Sequence, residues 1–396
     1  MIKVEDPGPI WRMIFGSHPD PSDVARWKSQ SFSFSSETGK RFCLLQTQGG
    51  PCGVLAPLQA LILKEVVFTH PKVPLTSLPD PTDDELYNAL VSSLGFTLAR
   101  CAADGLVMAT VNGEDIHYMQ FTSVEDYMKT VKEMFSDTLD SSEAVLQFVV
   151  SLILTRGLET LKLDMDDFEN PMVGRFGHCS QELVNLMLTG KATSNVFDGQ
   201  QDLGDGLLLR GVSAESPLPI GYLSELESLR YITVGNTFKF PTYPLWIVGS
   251  STHYTVLFGL KFSDAAVSND RAVNREIRRA FNAHAFDDGI CMSDKLPLVL
   301  KELELSPQLL ERASLDQGGV VIFSDFAAWA RSTLGLAETS NETCEYNLYL
   351  LNGLEPVALS RVNITSAYPL VASDQLFVAT IQTRWPETNV QVLANQ

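Results

Sequence analysis

The amino-acid sequence predicts an α+β fold whose body is interrupted by a mostly helical insertion. Apolar residues at helical spacing follow Pro51, which predicts a buried helix. Two apolar runs rich in β-branched and aromatic residues flank the turn 249–252, which predicts a hairpin in the body. Past this hairpin the chain becomes charged and helical before strand-like sequence returns. These changes predict a body of residues 1–265 and 336–396 around an insertion of residues 266–335.

The composition indicates a folded, acidic protein. The 396 residues are 45% hydrophobic and 19% charged, which is enough apolar sequence for a sizeable core. The formal net charge of −19 repels phosphate backbones, so a nucleic-acid partner is not expected. No apolar run reaches the length of a membrane span, and the first residues lack the pattern of a signal peptide. We therefore expect neither a membrane partner nor secretion.

Six cysteines are spread along the chain, and no two of them form a C-x-x-C pair. This spacing disfavours a disulfide framework and a zinc site. The glycine-rich stretch 204–211 lacks the lysine and hydroxyl residue of a phosphate-binding loop. The sequence therefore predicts no cofactor and no metal, in a reducing cytosolic or nuclear compartment.

The first half of the body is predicted to alternate between strands and helices. The stretches "SFSFS" (31–35) and "RFCLLQTQ" (41–48) predict two extended segments before the buried helix. Thr82 is the predicted N-cap of the next helix, because three acids follow it in the first turn. "LVMATV" and "DIHYMQFTSV" predict a hairpin, helices are expected over most of 124–170, and "SQELVNLMLTG" predicts a helix that ends at Gly190.

The second half of the body is predicted from three apolar stretches. "YPLWIVGSSTHYTVLFGLKF" is the clearest hairpin signal, and His253 is expected to begin its second strand. After the insertion, "EYNLYLLNGL" and "QLFVATIQTRW" are both predicted to be strands that return to the body.

The insertion contains two loops that echo the calcium-binding EF-hand. The loops start at His284 and Ser314, and each has a glycine at its sixth position, Gly289 and Gly319. The first loop carries histidine, phenylalanine and lysine at its first, third and twelfth positions, where Ca²⁺ needs oxygen ligands. A metal-free pair of helix-loop-helix units is therefore predicted.

A thiol at the start of the buried helix is the first candidate for chemistry. Cys52 follows Gly-Gly-Pro, and a helix N-terminus stabilises a thiolate through its dipole. The N–H groups of the first turn also point towards the place where an oxyanion would form. Free cysteines are often buried core residues, so this pattern alone leaves a nucleophile and a structural role equally open.

Further polar residues complete a candidate cysteine-hydrolase site. His253 is the preferred base, since papain-like sites place cysteine on an early helix and histidine on a later strand. His178 is its one rival, although a capping role suits it better. Asn352 ends the next predicted strand and could orient the imidazole, but asparagine before glycine is also an ordinary turn. Gln46 or Gln48 could donate to the oxyanion, or either could be an exposed strand residue.

Three motifs resemble one family. "QTQGGPCGVLAPLQA", "ELVNLMLTGKATSNVFDG" and "YPLWIVGSSTHYTVLFG" look like the MINDY family of deubiquitinating cysteine proteases, in the branch with GGPC and P-x-WIVGS-x-TH motifs. A member of that branch carries a degenerate EF-hand pair within its catalytic fold, and residues 266–335 resemble that insertion. The similarity extends from about Trp27 to Trp385.

The resemblance implies a papain-like cysteine protease variant, with the body as its catalytic domain. Carried over by position, Cys52 is the nucleophile, His253 is the base and acid, and Gln46 rather than Gln48 supports the oxyanion. The family motifs define the third catalytic position less well, so Asn352 remains a candidate orienter.

The resemblance also implies a substrate. Ubiquitin and polyubiquitin chains are the expected partners, with a preference for the lysine linkage that marks proteins for the proteasome. The alternative is a catalytically weak or inactive ubiquitin-binding scaffold. Labelling of Cys52 by a ubiquitin C-terminal electrophile distinguishes the enzyme from the scaffold.

Overall fold

The computed structural model describes most of the chain and divides it into two compact units. The described residues are 1–69, 77–134, 139, 141–204, 206–213, 217–265, 277–278, 280–287, 289–303, 305–313, 315–316, 318–334, 345–366, 375–386 and 388–394. The first unit, here called the body, consists of Met1–Ala265 and Cys344–Gln396, and the second unit is Ala266–Thr343.

The described α-helices are distributed over both units. In chain order they are Gly8–Phe15 (α1), Pro21–Lys28 (α2), Cys52–Leu63 (α3), Asp83–Cys101 (α4), Val124–Glu133 (α5), Ala144–Arg156 (α6), Leu158–Asp164 (α7), Gln181–Thr189 (α8), Glu225–Ser228 (α9), Asn236–Lys239 (α10), Leu296–Glu302 (α11), Phe323–Thr333 (α12) and Leu376–Gln382 (α13). A π-helical segment, Lys64–Thr69, continues α3.

The described strands form four sheets. In chain order they are Ile2–Lys3 (β1), Leu106–Asn112 (β2), Asp115–Phe121 (β3), Gln200–Asp202 (β4), Leu208–Arg210 (β5), Gly221–Ser224 (β6), Leu245–Gly249 (β7), Tyr254–Phe258 (β8), Ala285–Asp287 (β9), Ile290–Met292 (β10), Val320–Ile322 (β11), Glu345–Asn352 (β12), Ala358–Thr365 (β13) and Asn389–Ala394 (β14). The largest sheet has the order β14-β13-β12-β8-β7-β6, and its β6–β7 pair is parallel while its other pairs are antiparallel. Mixed helix and sheet make the body an α+β fold, as predicted.

The six-stranded sheet is covered on both faces. Ile247 and Val256 belong to the main core, which also contains α3, whereas Trp246 and Leu257 belong to a smaller cluster with Ile381 of α13. Because side chains alternate between the two faces of a strand, both faces of β7 and β8 are apolar and buried. The sheet is therefore a central layer on which α3 is mounted.

Every residue of α3 from Cys52 to Leu63 is buried. A helix that is apolar all round belongs in a core or in a membrane. With its π-helical continuation, Cys52–Thr69 is long and apolar enough to span a membrane, so the expectation that no run reaches that length is wrong. Within the body, however, 72% of this stretch is buried, which is the behaviour of a core helix.

Several local predictions are confirmed. Thr82 and Glu85 form a capping box, in which the Thr82 hydroxyl accepts from the Glu85 N–H and the Glu85 carboxylate accepts from the Thr82 N–H. The predicted hairpins are the antiparallel pairs β2–β3 and β7–β8. His253 lies one residue before β8 rather than in it.

The two extended segments before α3 are not regular strands. The stretch 31–35 contributes one isolated bridge, between Phe34 and Leu44. The side-chain amide of Gln30 donates to the carbonyl oxygens of Ser31 and Leu45, at 2.8 and 3.0 Å. Two backbone bonds flank the bridge, from Ser35 to Cys43 and from Leu45 to Ser33, both at 2.9 Å, so the pairing is one short antiparallel contact to which Gln30 adds side-chain bonds.

The predicted strand "QLFVATIQTRW" is wrong, because its first part is the helix α13. The buried residues Val378, Ile381 and Trp385 recur three and four positions apart, so they lie on one face of a helix. Two of them, Ile381 and Trp385, pack in the smaller cluster with residues of the six-stranded sheet.

The described part of the second unit contains strands that the expectation of a mostly helical segment missed. β10 pairs with both β9 and β11, and Cys291 lies opposite Val321. These strands and the helices α11 and α12 surround a separate small core, which includes Phe281 and Phe326. The second unit thus has its own hydrophobic centre.

Gly190, which ends α8, provides a test of the fold. Its φ is +80°, and a β-carbon built there would lie 2.2 Å from the carbonyl oxygen of Arg100. We expect Gly190→Ala to lower the free energy of unfolding by about 1–2 kcal/mol for the left-handed backbone and about 1–3 kcal/mol more for the clash. Chemical denaturation measures this loss.

Gly113 offers a matched control for this substitution. Its φ is also positive, +67°, but a β-carbon there would meet nothing within 4 Å. Gly113→Ala should therefore lower the free energy of unfolding by about 1–2 kcal/mol only. Equal losses for the two variants would contradict the steric role of Gly190.

Candidate active site

Cys52 is the first residue of α3, and its side chain is almost fully buried, with 2% exposed. Its sulfur lies 3.7 Å from the carbonyl oxygen of Gly50. Burial raises the pKa of the Cys52 thiol, while nearby backbone N–H groups, first that of Tyr254, act to lower it. These donors would stabilise a thiolate once the proton is removed, so the thiol needs a base.

His253 is held in the turn between β7 and β8. Its backbone N–H donates to the Ser250 hydroxyl at 3.1 Å, and its carbonyl oxygen accepts from the Ser250 N–H at 2.9 Å. The N–H of Ser251 is fixed in turn by the Glu225 carboxylate at 2.9 Å. The turn is therefore rigid, and His253 has a defined position at the entrance to β8.

The His253 ring is bonded to Asn352. Nε2 of His253 lies 2.8 Å from Oδ1 of Asn352, and the same oxygen accepts from the Leu354 N–H at 3.0 Å. Because a backbone N–H bonds to this atom, it must be the oxygen rather than the nitrogen of the amide. Nε2 must then carry the hydrogen, which leaves a lone pair on Nδ1. Asn352 thus selects the tautomer in which Nδ1 can accept a proton.

Strand pairing explains why these two residues meet. β12 runs antiparallel to β8, and Leu351 lies opposite Val256. The end of β12 is consequently next to the beginning of β8, where His253 is found. The position of Asn352 as the last residue of β12 agrees with the sequence prediction.

Burial and a positive charge on His178 both lower the pKa of the His253 imidazole. Burial lowers the pKa of His253, the bond to Asn352 raises it, and a positive charge on His178 would lower it further. At neutral pH the ring is therefore neutral and available as a base. His178, the rival candidate, is thus an electrostatic neighbour of His253, and its Nδ1 is a buried atom without a hydrogen-bond partner among the described residues.

Gln46 is also buried, with 2% exposed, and it is tied to the chain just after Asn352. Its N–H donates to the Gly353 carbonyl at 2.9 Å, and its carbonyl accepts from the Glu355 N–H at 3.1 Å. One N–H of its side-chain amide donates to the Gln48 carbonyl oxygen at 2.6 Å, which leaves the second for another acceptor. Gln46 and Cys52 line the same cavity.

Gln59 connects α3 to the segment that carries Gln46. Its amide oxygen accepts from the Leu44 N–H at 2.5 Å, and its amide nitrogen donates to the Phe42 carbonyl at 3.0 Å. Both side-chain groups of this buried glutamine are therefore satisfied by backbone. These two bonds hold α3, which carries Cys52, in a fixed relation to the segment that carries Gln46.

Cys179 is a neighbour of the site to which the sequence interpretation gave no role. It precedes α8, and its sulfur lies 3.5 Å from the same Gly50 carbonyl oxygen. A β-carbon built on Gly53 would lie 2.6 Å from that of Cys179, so only glycine fits beside it. The signal in the sequence was a second cysteine next to a helix start.

Among the described residues, no group of three or more His, Cys, Asp or Glu side chains is arranged to hold a metal ion. Instead, the described residues pair the imidazole of His253 with the amide of Asn352 and place Gln46 in one cavity with the thiol of Cys52. The Cys52 sulfur contacts the Gly50 carbonyl oxygen rather than the imidazole. The absence of a cofactor or a metal remains a prediction.

Known proteins of one family match this chain. The family model described as "Deubiquitinating enzyme MINDY-3/4, conserved domain" matches residues 11–278. Ubiquitin carboxyl-terminal hydrolase MINDY-3 of Bos taurus is 29% identical over 95% of this chain and 95% of its own. The Mus musculus MINDY-3 is 32% identical over 75% of this chain and 74% of its own. The probable hydrolase MINDY-4 of Mus musculus is 33% identical over 59% of this chain and 34% of its own.

The chain belongs to the MINDY-3/4 family of deubiquitinating enzymes, since the family model covers more than half of its length. No solved structure matches the chain.

The hydrogen bond between His253 and Asn352 predicts a shift in the pH profile. Because this bond raises the pKa of His253 against burial, Asn352→Ala should move the acid limb of kcat/KM to lower pH. The loss of orientation should also reduce the rate roughly tenfold, for about 1–2 kcal/mol of lost interaction.

Asn352→Asp is the matched variant. It keeps an acceptor for the N–H of Leu354, and its negative charge should raise the pKa of His253. The acid limb should therefore move to higher pH. Measurement of kcat/KM over a pH series on both variants tests these two shifts. An acid limb that keeps its wild-type position in both variants would exclude His253 as the titrating base.

Proposed function

We propose that this protein is a cysteine isopeptidase that hydrolyses ubiquitin chains, with Cys52 as nucleophile, His253 as base and acid, Gln46 as oxyanion donor and Asn352 as orienter. The observation that carries the proposal is the bond from His253 Nε2 to an amide oxygen, which leaves Nδ1 as a base at the entrance to β8, a strand that packs against α3. The names of the family and of its curated relatives support ubiquitin as the substrate.

The fold of the body supports a papain-like variant. In such proteases a helix carries the cysteine, and strands packed against it carry the histidine and its orienter. Here α3 packs against β7 and β8, and β12 supplies Asn352 at the next position in the sheet. Cysteine, histidine and asparagine follow one another along the chain as in papain-like proteases, and the second unit lies between β8 and β12 in the sequence.

The proposed reaction begins with proton transfer. Nδ1 of His253 takes the proton of Cys52, and the thiolate attacks the carbonyl carbon of ubiquitin's C-terminal glycine. The second amide N–H of Gln46 and the N–H groups at the start of α3 stabilise the oxyanion. The imidazolium then protonates the departing lysine amine. Water, activated by the neutral ring, releases ubiquitin from the thioester and restores the thiol.

The second unit supports an interpretation as a degenerate EF-hand pair. If the loops start at His284 and Ser314, their eighth positions are Cys291 and Val321, which lie opposite each other in the β10–β11 pair. The sixth positions, Gly289 and Gly319, both have positive φ. Two EF-hand loops are joined by short strands in this way, with a glycine at the sharp turn.

The same unit argues against calcium binding. The imidazole of His284, at the first ligand position, lies 2.9 Å from the carboxylate of Glu302. Phe286 and Lys295 offer no oxygen ligand at the third and twelfth positions. We propose a structural or interaction role for the unit instead of calcium sensing.

The finer substrate preference rests on the resemblance of the motifs. We propose polyubiquitin of the proteasome-targeting linkage as the preferred chain, in the cytosol or the nucleus. A panel of ubiquitin chains of different linkages measures this preference directly, and equal rates on all of them would reject it.

Chain cleavage tests the proposed activity. Purified protein should shorten ubiquitin chains, and Cys52→Ala should abolish the cleavage while retaining the folded state. A ubiquitin probe with a C-terminal electrophile should label the wild type at Cys52 only. Ubiquitin binding without cleavage or labelling would instead support the alternative, an inactive ubiquitin-binding scaffold.

Gln46 and Gln48 form a matched pair for the oxyanion role. Removal of one oxyanion donor costs about 10²–10³ in kcat, so Gln46→Ala and the isosteric Gln46→Glu should both lose activity on this scale. The side chain of Gln48 is exposed, and its contact with Gln46 is made by its backbone carbonyl, so Gln48→Ala should keep the wild-type rate. Comparable kcat values for all three variants would contradict the assignment.

A further inference from the structure

Two thiols converge on one carbonyl group at the start of α3. The sulfur of Cys52 lies 3.7 Å and that of Cys179 lies 3.5 Å from the carbonyl oxygen of Gly50. Both side chains are buried, with 2% and 7% exposed. The proposed mechanism uses only the first of these thiols.

The packing around Gly53 keeps Cys179 against the nucleophile turn. A β-carbon on Gly53 would lie 2.6 Å from the β-carbon and 2.8 Å from the sulfur of Cys179, so no side chain separates the second thiol from this turn. Gly53 is the residue directly after Cys52. A disulfide requires the β-carbons of its two cysteines to lie about 3.5–4.5 Å apart. The contact between Cys179 and the turn brings the Cys179 thiol close to Cys52, the residue before Gly53.

Burial raises the pKa of the Cys52 thiol, so its oxidation depends on the proposed removal of its proton by His253. A thiol that is deprotonated by an imidazole at a helix N-terminus reacts with hydroperoxides to give a sulfenic acid, which condenses readily with a nearby thiol. Cys52 lines the cavity next to Gln46, which gives a small oxidant a place beside the sulfur.

We propose that Cys52 and Cys179 form a peroxide-sensitive pair in which Cys179 is the resolving thiol. The inference rests on the proposed role of Cys52 as a reactive thiol. In the first step the Cys52 thiolate attacks hydrogen peroxide, the O–O bond breaks, and a sulfenic acid and hydroxide form. In the second step the Cys179 sulfur attacks the sulfenic sulfur, the S–O bond breaks, and water leaves with the thiol proton. The two sulfurs lose two electrons in total, and peroxide gains them.

The disulfide would have two consequences for the enzyme. It occupies the nucleophile, so ubiquitin cleavage stops while the bond is present. It also removes the sulfenic acid before a second peroxide converts it to sulfinic acid, which is irreversible for most proteins. The pair would therefore convert oxidative inactivation into a reversible state.

Peroxide treatment of the full-length wild-type protein tests the pair directly. We expect the intact mass to fall by two hydrogen atoms, a peptide map to show Cys52 joined to Cys179, and cleavage of ubiquitin chains to stop and then return fully with a thiol reductant. A sulfinic acid at Cys52, or a disulfide that joins other cysteines, would overturn the proposal. This readout requires no variant that must fold.

Two cysteine variants sharpen the test. Cys179→Ser should keep the basal rate, but after peroxide its activity should not return with reductant, and Cys52 should carry sulfinic acid. The matched control is Cys101→Ser, whose thiol is also buried but lies 3.8 Å from the Leu186 carbonyl oxygen. That control should recover like the wild type. Recovery of the Cys179→Ser variant to the same extent would overturn the resolving role.

The mass readout separates this inference from the proposed function. If the reduced wild type cleaves no ubiquitin chain but forms the disulfide between Cys52 and Cys179, the pair is supported and the proposed function is wrong. If it cleaves ubiquitin chains but yields sulfinic acid in place of the disulfide, the proposed function stands and the pair is wrong.

Discussion

The turn that follows β12 holds the candidate site together. Asn352 accepts hydrogen bonds from His253 and from Leu354 through one oxygen. The residues that follow bond to the backbone of Gln46, whose N–H donates to Gly353 and whose carbonyl accepts from Glu355. A single turn therefore determines which nitrogen of the imidazole is basic and where Gln46, the proposed oxyanion donor, lies. Displacement of this turn would disturb both functions together, because no other described element bonds to both residues.

A second set of hydrogen bonds fixes the segment that leads into Gln46 to α3. Gln59 of α3 bonds to Phe42 and Leu44, so the chain leading into Gln46 is fixed to the helix that carries Cys52. Gln46 is thus held between the nucleophile helix and the turn after β12. Gln59 makes its connection through its side-chain amide, which bonds only to backbone groups, whereas Gln46 meets the turn through its own backbone N–H and carbonyl. Such a set of hydrogen bonds stabilises one arrangement of the site residues over alternative arrangements.

The sequence predicted those parts of the site that depend on local pattern. The start of α3 at Cys52 and the β7–β8 hairpin before and after His253 follow from periodicity and turn residues. The bond between Gln46 and Gly353 joins segments far apart in the chain, and no local pattern reports it. The packing of Cys179 on Gly53 was hidden for the same reason. α13 was mistaken for a strand because its β-branched residues satisfy a strand propensity, although their spacing suits a helix.

The order of the site along the chain has a consequence for biosynthesis. Gln46, Cys52 and His253 all precede the second unit, whereas Asn352 lies 99 residues after its histidine partner. A ribosome delivers the N-terminal part first, so the nascent body carries the proposed nucleophile and base before the turn proposed to orient the base exists. A chain that stops anywhere within the second unit would have a thiol and an imidazole without the contacts that align them. Completion of the site is thereby coupled to synthesis of the whole second unit.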